Sequence, residues 1–323
     1  MNTNDSPETN PTSRREFFTR GAQAAALLTV GGHATITTGA TAKASPTRKS
    51  LLPIKIDAHQ VRDIATGPND QIYVAADATI RIYDRLGAPL KTITLHSPPQ
   101  CLAVQADGRI VAGLKNHLEF FNADGTAAST SPTLPDHPNL TAIHLGQKND
   151  YFVSDSGNNL IWHLDATGNV IDKIDRDGKG FAVPKNFFPI SVDAQGKIAA
   201  VNVARHRVET LDAHGHTTGA WGEKSRDLEG FGGCCNPVAI AHTASGQVVT
   251  AEAGLPRIKI FSPDGAFKEL VAGPESFETN ARESRERPEQ PDACHTGGFE
   301  LAVDSKDRIL VLDRVTAEIL IFA

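Results

Sequence analysis

Asn69-Asp70-Gln71-Ile72-Tyr73-Val74 is a polar turn that runs straight into an apolar strand, and the chain makes the same move five more times. The later copies are Asp107-Gly108-Arg109-Ile110-Val111, Lys148-Asn149-Asp150-Tyr151-Phe152-Val153, Gln195-Gly196-Lys197-Ile198, Ser245-Gly246-Gln247-Val248-Val249 and Lys306-Asp307-Arg308-Ile309-Leu310-Val311. An apolar run precedes each turn, and a third run follows, as in Arg81-Ile82-Tyr83 or Arg257-Ile258-Lys259-Ile260-Phe261. Asp/Asn-Gly turns such as Ala123-Asp124-Gly125 and Pro263-Asp264-Gly265 then close the unit. Short strands and tight turns at a period of about 40 residues predict propeller blades, one four-stranded sheet per repeat. The expected fold is all-β, a six-bladed β-propeller. The last repeat stops at Ala323, one strand short, while Ser50-Leu51-Leu52-Pro53-Ile54-Lys55-Ile56-Asp57 alternates like a strand ahead of blade one. That N-terminal strand is expected to complete the last blade and close the ring.

The residues ahead of the repeats read differently. Ser13-Arg14-Arg15-Glu16-Phe17-Phe18 resembles the twin-arginine export motif, the apolar stretch Ala22–Val30 follows, and Ala42-Lys43-Ala44 has the small residues of a cleavage site. Residues 1–44 are therefore expected to be an export signal, and residues 45–323 a single propeller domain. The apolar stretch is too short and too polar to span a membrane. A periplasmic or secreted location follows, with the twin-arginine translocase as a partner during export. That route carries folded proteins, which suits a chain that takes up a cofactor first. The 38 acidic and 32 basic residues give a net charge of −6 with no basic cluster, which argues against nucleic acid or an anionic membrane as partner.

Two stretches carry a family resemblance. Pro237-Val238-Ala239-Ile240-Ala241 through Ala251-Glu252, and Leu301-Ala302-Val303-Asp304 through Leu310-Val311-Leu312-Asp313, resemble NHL repeats. The resemblance covers nearly all of residues 45–323 and implies a propeller. It leaves function open, because such propellers serve as scaffolds, binders and enzymes.

Registering the copies on their turns places the segments that lead into each inner strand around one mouth of the central channel, here the upper mouth. Those segments hold His59, His96 and His137 in blades one to three, Cys234-Cys235 in blade five and Cys294-His295 in blade six. Thiolate with imidazole favours copper or zinc, and less so iron, over magnesium or calcium. The expected metal ligands are thus Cys234, Cys235, Cys294 and His295, with His59, His96 and His137 as partners across the channel. Glu252, at the end of a second strand, is a candidate general base beside Cys234 and Cys235. A copper centre would oxidise a small molecule, and a zinc centre would support lyase or hydrolase chemistry. NHL-type propellers include a lyase of peptidyl-hydroxyglycine whose channel zinc is held by histidines of different blades. Here cysteines replace part of that set.

Other readings stand beside this one. Either cysteine of the Cys234-Cys235 pair could form a disulfide with Cys294, or the two could join in a vicinal ring. With such a staple, the chain would be a non-catalytic propeller that binds a carbohydrate, peptide or protein partner. Cys101 reads as a core thiol, and His144, His163 and His242 read as paired sheet residues. The charged run 278–291 reads either as a flap over the mouth or as a solvated connection.

Overall fold

The structure is a computed structural model that describes residues 45–176, 178–184, 186–233, 235–277 and 298–323. The export segment expected over residues 1–44 and the charged run 278–291 lie outside the described residues. Six four-stranded antiparallel sheets form a six-bladed propeller. Blade one runs Val61–Thr66, Ile72–Ala76, Thr79–Tyr83 and Pro89–Thr94 from the channel outwards. The inner strands of blades two to six are Cys101–Val104, Leu140–Leu145, Ile190–Val192, Ala239–His242 and Phe299–Val303.

Radial position explains the apolar pattern of the strands. Second strands such as Ile72–Ala76 and Val248–Glu252 are buried at every residue, because neighbouring blades cover both faces of the sheet. Fourth strands such as Ala127–Thr130 lie at the rim and are exposed throughout. The core is therefore a set of layers between blades. Val61, Ile64, Ile72 and Val74 of blade one, for example, meet Ala302, Leu310, Leu312 and Ile319 of blade six. Cys101 is fully buried in the layer between blades two and three, as its core reading expects.

The repeated turn is legible in the backbone. Asn69, Gly108, Asn149, Gly196, Gly246 and Asp307 share one turn position, and all have positive φ, from 57° to 88°. Only residues that tolerate the left-handed region at low cost stand there. These turns ring the lower mouth of the channel.

The ring closes as expected. Ile54–Lys55 is the fourth strand of blade six and pairs antiparallel with Glu318–Phe322. The Leu51 and Ile56 amides donate to the Ile321 and Ala317 carbonyls, each at 2.8 Å, and Ile56 is buried between blades six and one.

Candidate active site

Acids at the ends of second strands hold the upper face in shape. Asp155 Oδ1 accepts from the Asn139, Gly157 and Asn158 amides at 2.9, 2.9 and 3.1 Å. Asp77 does the same for Gln60 at 2.9 Å, and Asp313 for Val315 at 2.9 Å. Each carboxylate clamps a turn, which accounts for its place in the repeat.

Glu252 is the heaviest of these clamps. It is fully buried, and it accepts from Arg257 Nε at 2.6 Å, Arg257 Nη2 at 2.8 Å and the Gly232 amide at 2.7 Å. Lys259 Nζ lies 3.2 Å away, also fully buried, over the rings of Phe231 and Phe261. Burial lowers the Lys259 ammonium to about 8 against the opposing pull of Glu252. Asn236 completes the clamp by donating to the Gly232 and Ala253 carbonyls at 2.5 and 2.9 Å. Glu252 thus shapes the loop that carries Cys235, which is half-buried.

The other residues expected to bind metal are placed as follows. His59, His96 and His137 are exposed on the upper rim of three separate blades. Cys234, Cys294 and His295 lie outside the described residues. Among the described residues, no group of three or more His, Cys, Asp or Glu side chains is arranged to hold a metal ion.

The chemistry-bearing groups that do converge sit inside the channel. A cavity of about 50 Å³ below the upper mouth is lined by Asp63, Glu300, Thr141, His144 and the Phe187-Phe188 pair, among others. It shares Ile64, Leu102, Ile143, His144 and Leu301 with a wider vestibule of about 250 Å³ towards the lower mouth, where His242 and Ser191 lie. Asp63 stands next to a bulge, since the pairing of Val61 with Ala76 shifts before that of Asp63 with Ala75. Bulges re-aim side chains in this way. Asp63 Oδ2 reaches the next blade and accepts from the Leu102 amide at 2.6 Å. Glu300, on the inner strand of blade six, accepts from Arg314 Nη1 at 3.3 Å.

Surrounding protein mass sets the charge of these groups. Burial raises Asp63 to about 7, against the Leu102 and Ile64 amides and Arg314, which favour the anion. Burial also raises Glu300 to about 8, opposed by Arg314 and reinforced by Asp63. The charge of Asp63 raises Glu300, so the two titrate as a pair. His144 and His242 are held down to about 4, chiefly by burial. His242 Nδ1 is 2.8 Å from Ser191 Oγ. At neutral pH the channel therefore holds neutral imidazoles and a carboxyl pair able both to give and to take a proton.

A pH dependence of stability follows. The raised carboxyls contribute stability that is complete below their ordinary values and is lost as pH rises through about 7 and 8. The lowered histidines contribute stability that is complete above 6.5 and lost as pH falls towards 4. Between pH 6.5 and 8 the carboxyl pair dominates the two effects. Urea midpoints are expected to fall across that window, and to fall less in the Asp63→Asn, Glu300→Gln double variant. Equal slopes in the two proteins would show that the pair titrates outside it.

Asp63 and Glu300 carried a signal in the sequence that the histidines and cysteines overshadowed. A charged residue inside an inner strand, such as Asp63 before Ile64 or Glu300 before Leu301, contradicts the apolar run that a strand between two blades requires. His163 pairs with Asp150 at 2.6 Å, as a sheet residue would. His144 and His242 are also paired sheet residues, opposite Phe152 and Val248, and they line the channel besides.

Comparison with known proteins gives the fold a context. No protein-family model matches the chain, and no curated protein sequence matches it. Solved structures do. A streptogramin B lyase superposes with a TM-score of 0.56 at 12% identity, covering 85% of this chain and 97% of the lyase. Virginiamycin B lyase from Staphylococcus aureus gives 0.55 at 15% identity, over 81% and 80% of the two chains. A catalytically inactive variant of that enzyme with quinupristin gives 0.54 at 13% identity, over 85% and 88%. At such identities the likeness is one of fold.

Proposed function

We propose that this chain is an enzyme that moves protons on a small molecule in the central channel, by elimination or hydrolysis. The observation that carries the reading is the Asp63–Glu300 pair: two carboxyls from adjacent blades, facing one small cavity, whose burial keeps a proton between them near neutral pH. The ionised member would take a proton from the substrate, and the protonated member would give one to the leaving group. The narrow cavity limits the reacting part of the substrate to a few heavy atoms. The lyases among the structural neighbours support elimination as the reaction class.

The test is a turnover screen on small esters and lactones, with quinupristin included, read by mass spectrometry. Ring-opening elimination leaves the mass unchanged, whereas hydrolysis adds one water. Asp63→Asn and Glu300→Gln are each expected to lower turnover about 100-fold or more. Full activity in both variants, or ordinary carboxylate titration of both groups by NMR, would remove the reading.

Cys235 on its clamped loop supports a second reading, in which a thiophilic metal, copper or zinc, is held at the upper mouth with Cys234, Cys294 and His295. Bound there, it would supply redox or Lewis-acid chemistry. Elemental analysis of protein exported by its native route is expected to find about one metal per chain, lost in Cys234→Ser. Metal-free protein with full activity would rule this out. Cell fractionation of the same culture tests the proposed export.

A further inference from the structure

We propose that the vestibule at the lower mouth of the channel binds a short hydrocarbon chain, the tail of the small molecule on which the carboxyl pair acts. This rests on the acid–base reading above and names its substrate class. Counting back four residues from the shared turn position gives Ala65, Val104, Leu145, Val192, His242 and Val303, one from each blade. All six line the vestibule of about 250 Å³. Two residues earlier in each blade stand Asp63, Leu102, Ile143, Ile190, Ile240 and Leu301, and all six line the cavity of about 50 Å³ above it. Alternate residues of a strand share a face, so the inner strands stack one ring of side chains on another along the channel.

The lower ring is apolar at five of its six positions, although Ala65, Leu145, Val192 and Val303 are each only half-buried. A polar side chain would meet water there at no cost, so a continuous apolar ring marks a surface suited to an apolar ligand. The polar groups beside it are engaged with one another. Thr66 Oγ1 donates to the Val303 carbonyl at 2.8 Å, and His242 Nδ1 is 2.8 Å from Ser191 Oγ. Among the described residues that line the vestibule, none is an acid, a lysine or an arginine. A charged or hydroxylated tail would therefore lose its water without gaining partners, whereas a hydrocarbon tail loses nothing. The volume holds roughly eight methylene groups at the density of a protein interior. Ile64, Leu102, Ile143, His144 and Leu301 border both spaces, so a chain seated in the vestibule points its head group at the cavity that Asp63 and Glu300 line.

Straight-chain amides test the tail site apart from turnover, because their nitrogen is a poor leaving group. Isothermal titration of the wild-type chain with butanamide, hexanamide and octanamide is expected to show affinity rising about threefold to fourfold per added methylene. Equal affinity across the series, or no binding of octanamide, would overturn the proposal. Tighter binding of 3-phenylpropanamide than of octanamide would do so too, by assigning the space to an aromatic ring. Val192→Phe fills part of the vestibule and should remove most of the gain between butanamide and octanamide. Val303→Phe makes the same test from another blade, with urea denaturation confirming that each variant is folded. A gain that persists in full in a folded variant of each kind would also count against the site. The acid–base reading fails separately: Glu300→Gln with full turnover would end it, whatever the amides do. Conversely, lost turnover in Glu300→Gln with a flat amide series in the wild type would leave that reading and remove this one.

Discussion

Glu252→Ala is expected to destabilise the protein by about 3–5 kcal/mol, among the largest effects any single substitution in this chain should have. The estimate comes from what the alanine leaves behind. Arg257 is 5% exposed and Lys259 is fully buried, and Glu252 is the acid that both meet. Without it, a guanidinium remains in a low-dielectric site with its charge uncompensated. Lys259, already lowered to about 8, loses a partner that favours its charged form. The Gly232 amide also loses its acceptor. Glu252→Gln should cost less, since it keeps the shape and one acceptor. Arg109→Ala, which breaks the exposed pair with Asp107, should cost little and is the control. Urea denaturation decides the matter, and a Glu252→Ala loss no larger than the control would show that the cluster contributes little. The same experiment bears on catalysis. If Glu252 acts only through the loop it clamps, activity should follow loop order rather than the pH profile of a general base.

Removing the closing strand should be still more damaging. A chain that begins at Ala58 lacks Ile54–Lys55, the buried Ile56 and the Leu51 and Ile56 amides that bond blade six. The edge Glu318–Phe322 would then offer unpaired backbone groups along an apolar strand, and such edges recruit other chains. Loss of cooperative unfolding and a shift to aggregates by size-exclusion chromatography are expected, whereas a chain beginning at Ser45 should behave as a monodisperse protein. Ile56→Asp, which leaves the backbone pairing possible but places a charge between blades, should show a milder form of the same defect. A well-behaved chain from Ala58 would mean that blades hold together through their faces alone.

The fold was readable because it is written redundantly. Six turns each put a glycine, asparagine or aspartate where the backbone must turn left-handed, and six buried second strands follow them. One copy could mislead; six in register could not. The alternation of Ser50–Asp57 was enough to assign the closing strand. The site was harder, because residue type alone pointed to cysteines and histidines. His59, His96 and His137 reach the rim, but the described residues do not gather them into a metal-binding group. Asp63 and Glu300 broke the apolar pattern of their strands and could have been noticed. Their meeting could not. It depends on the bulge beside Asp63 and on the contact between first and last blades, and neither is a local property of the chain.

The two carboxyls come from opposite ends of the repeat array, and they face each other only where blade six meets blade one. That junction is the one place in the ring where a blade is assembled from both chain termini. The site is consequently a late product of folding, complete only once the circle is made. On the acid–base reading proposed above, a partly synthesised or partly opened propeller would have its other blades in order and yet lack activity. On that reading, anything that loosens the seam, from a protease cut near Asp57 to a displaced terminal strand, would act as an off-switch without touching either carboxyl.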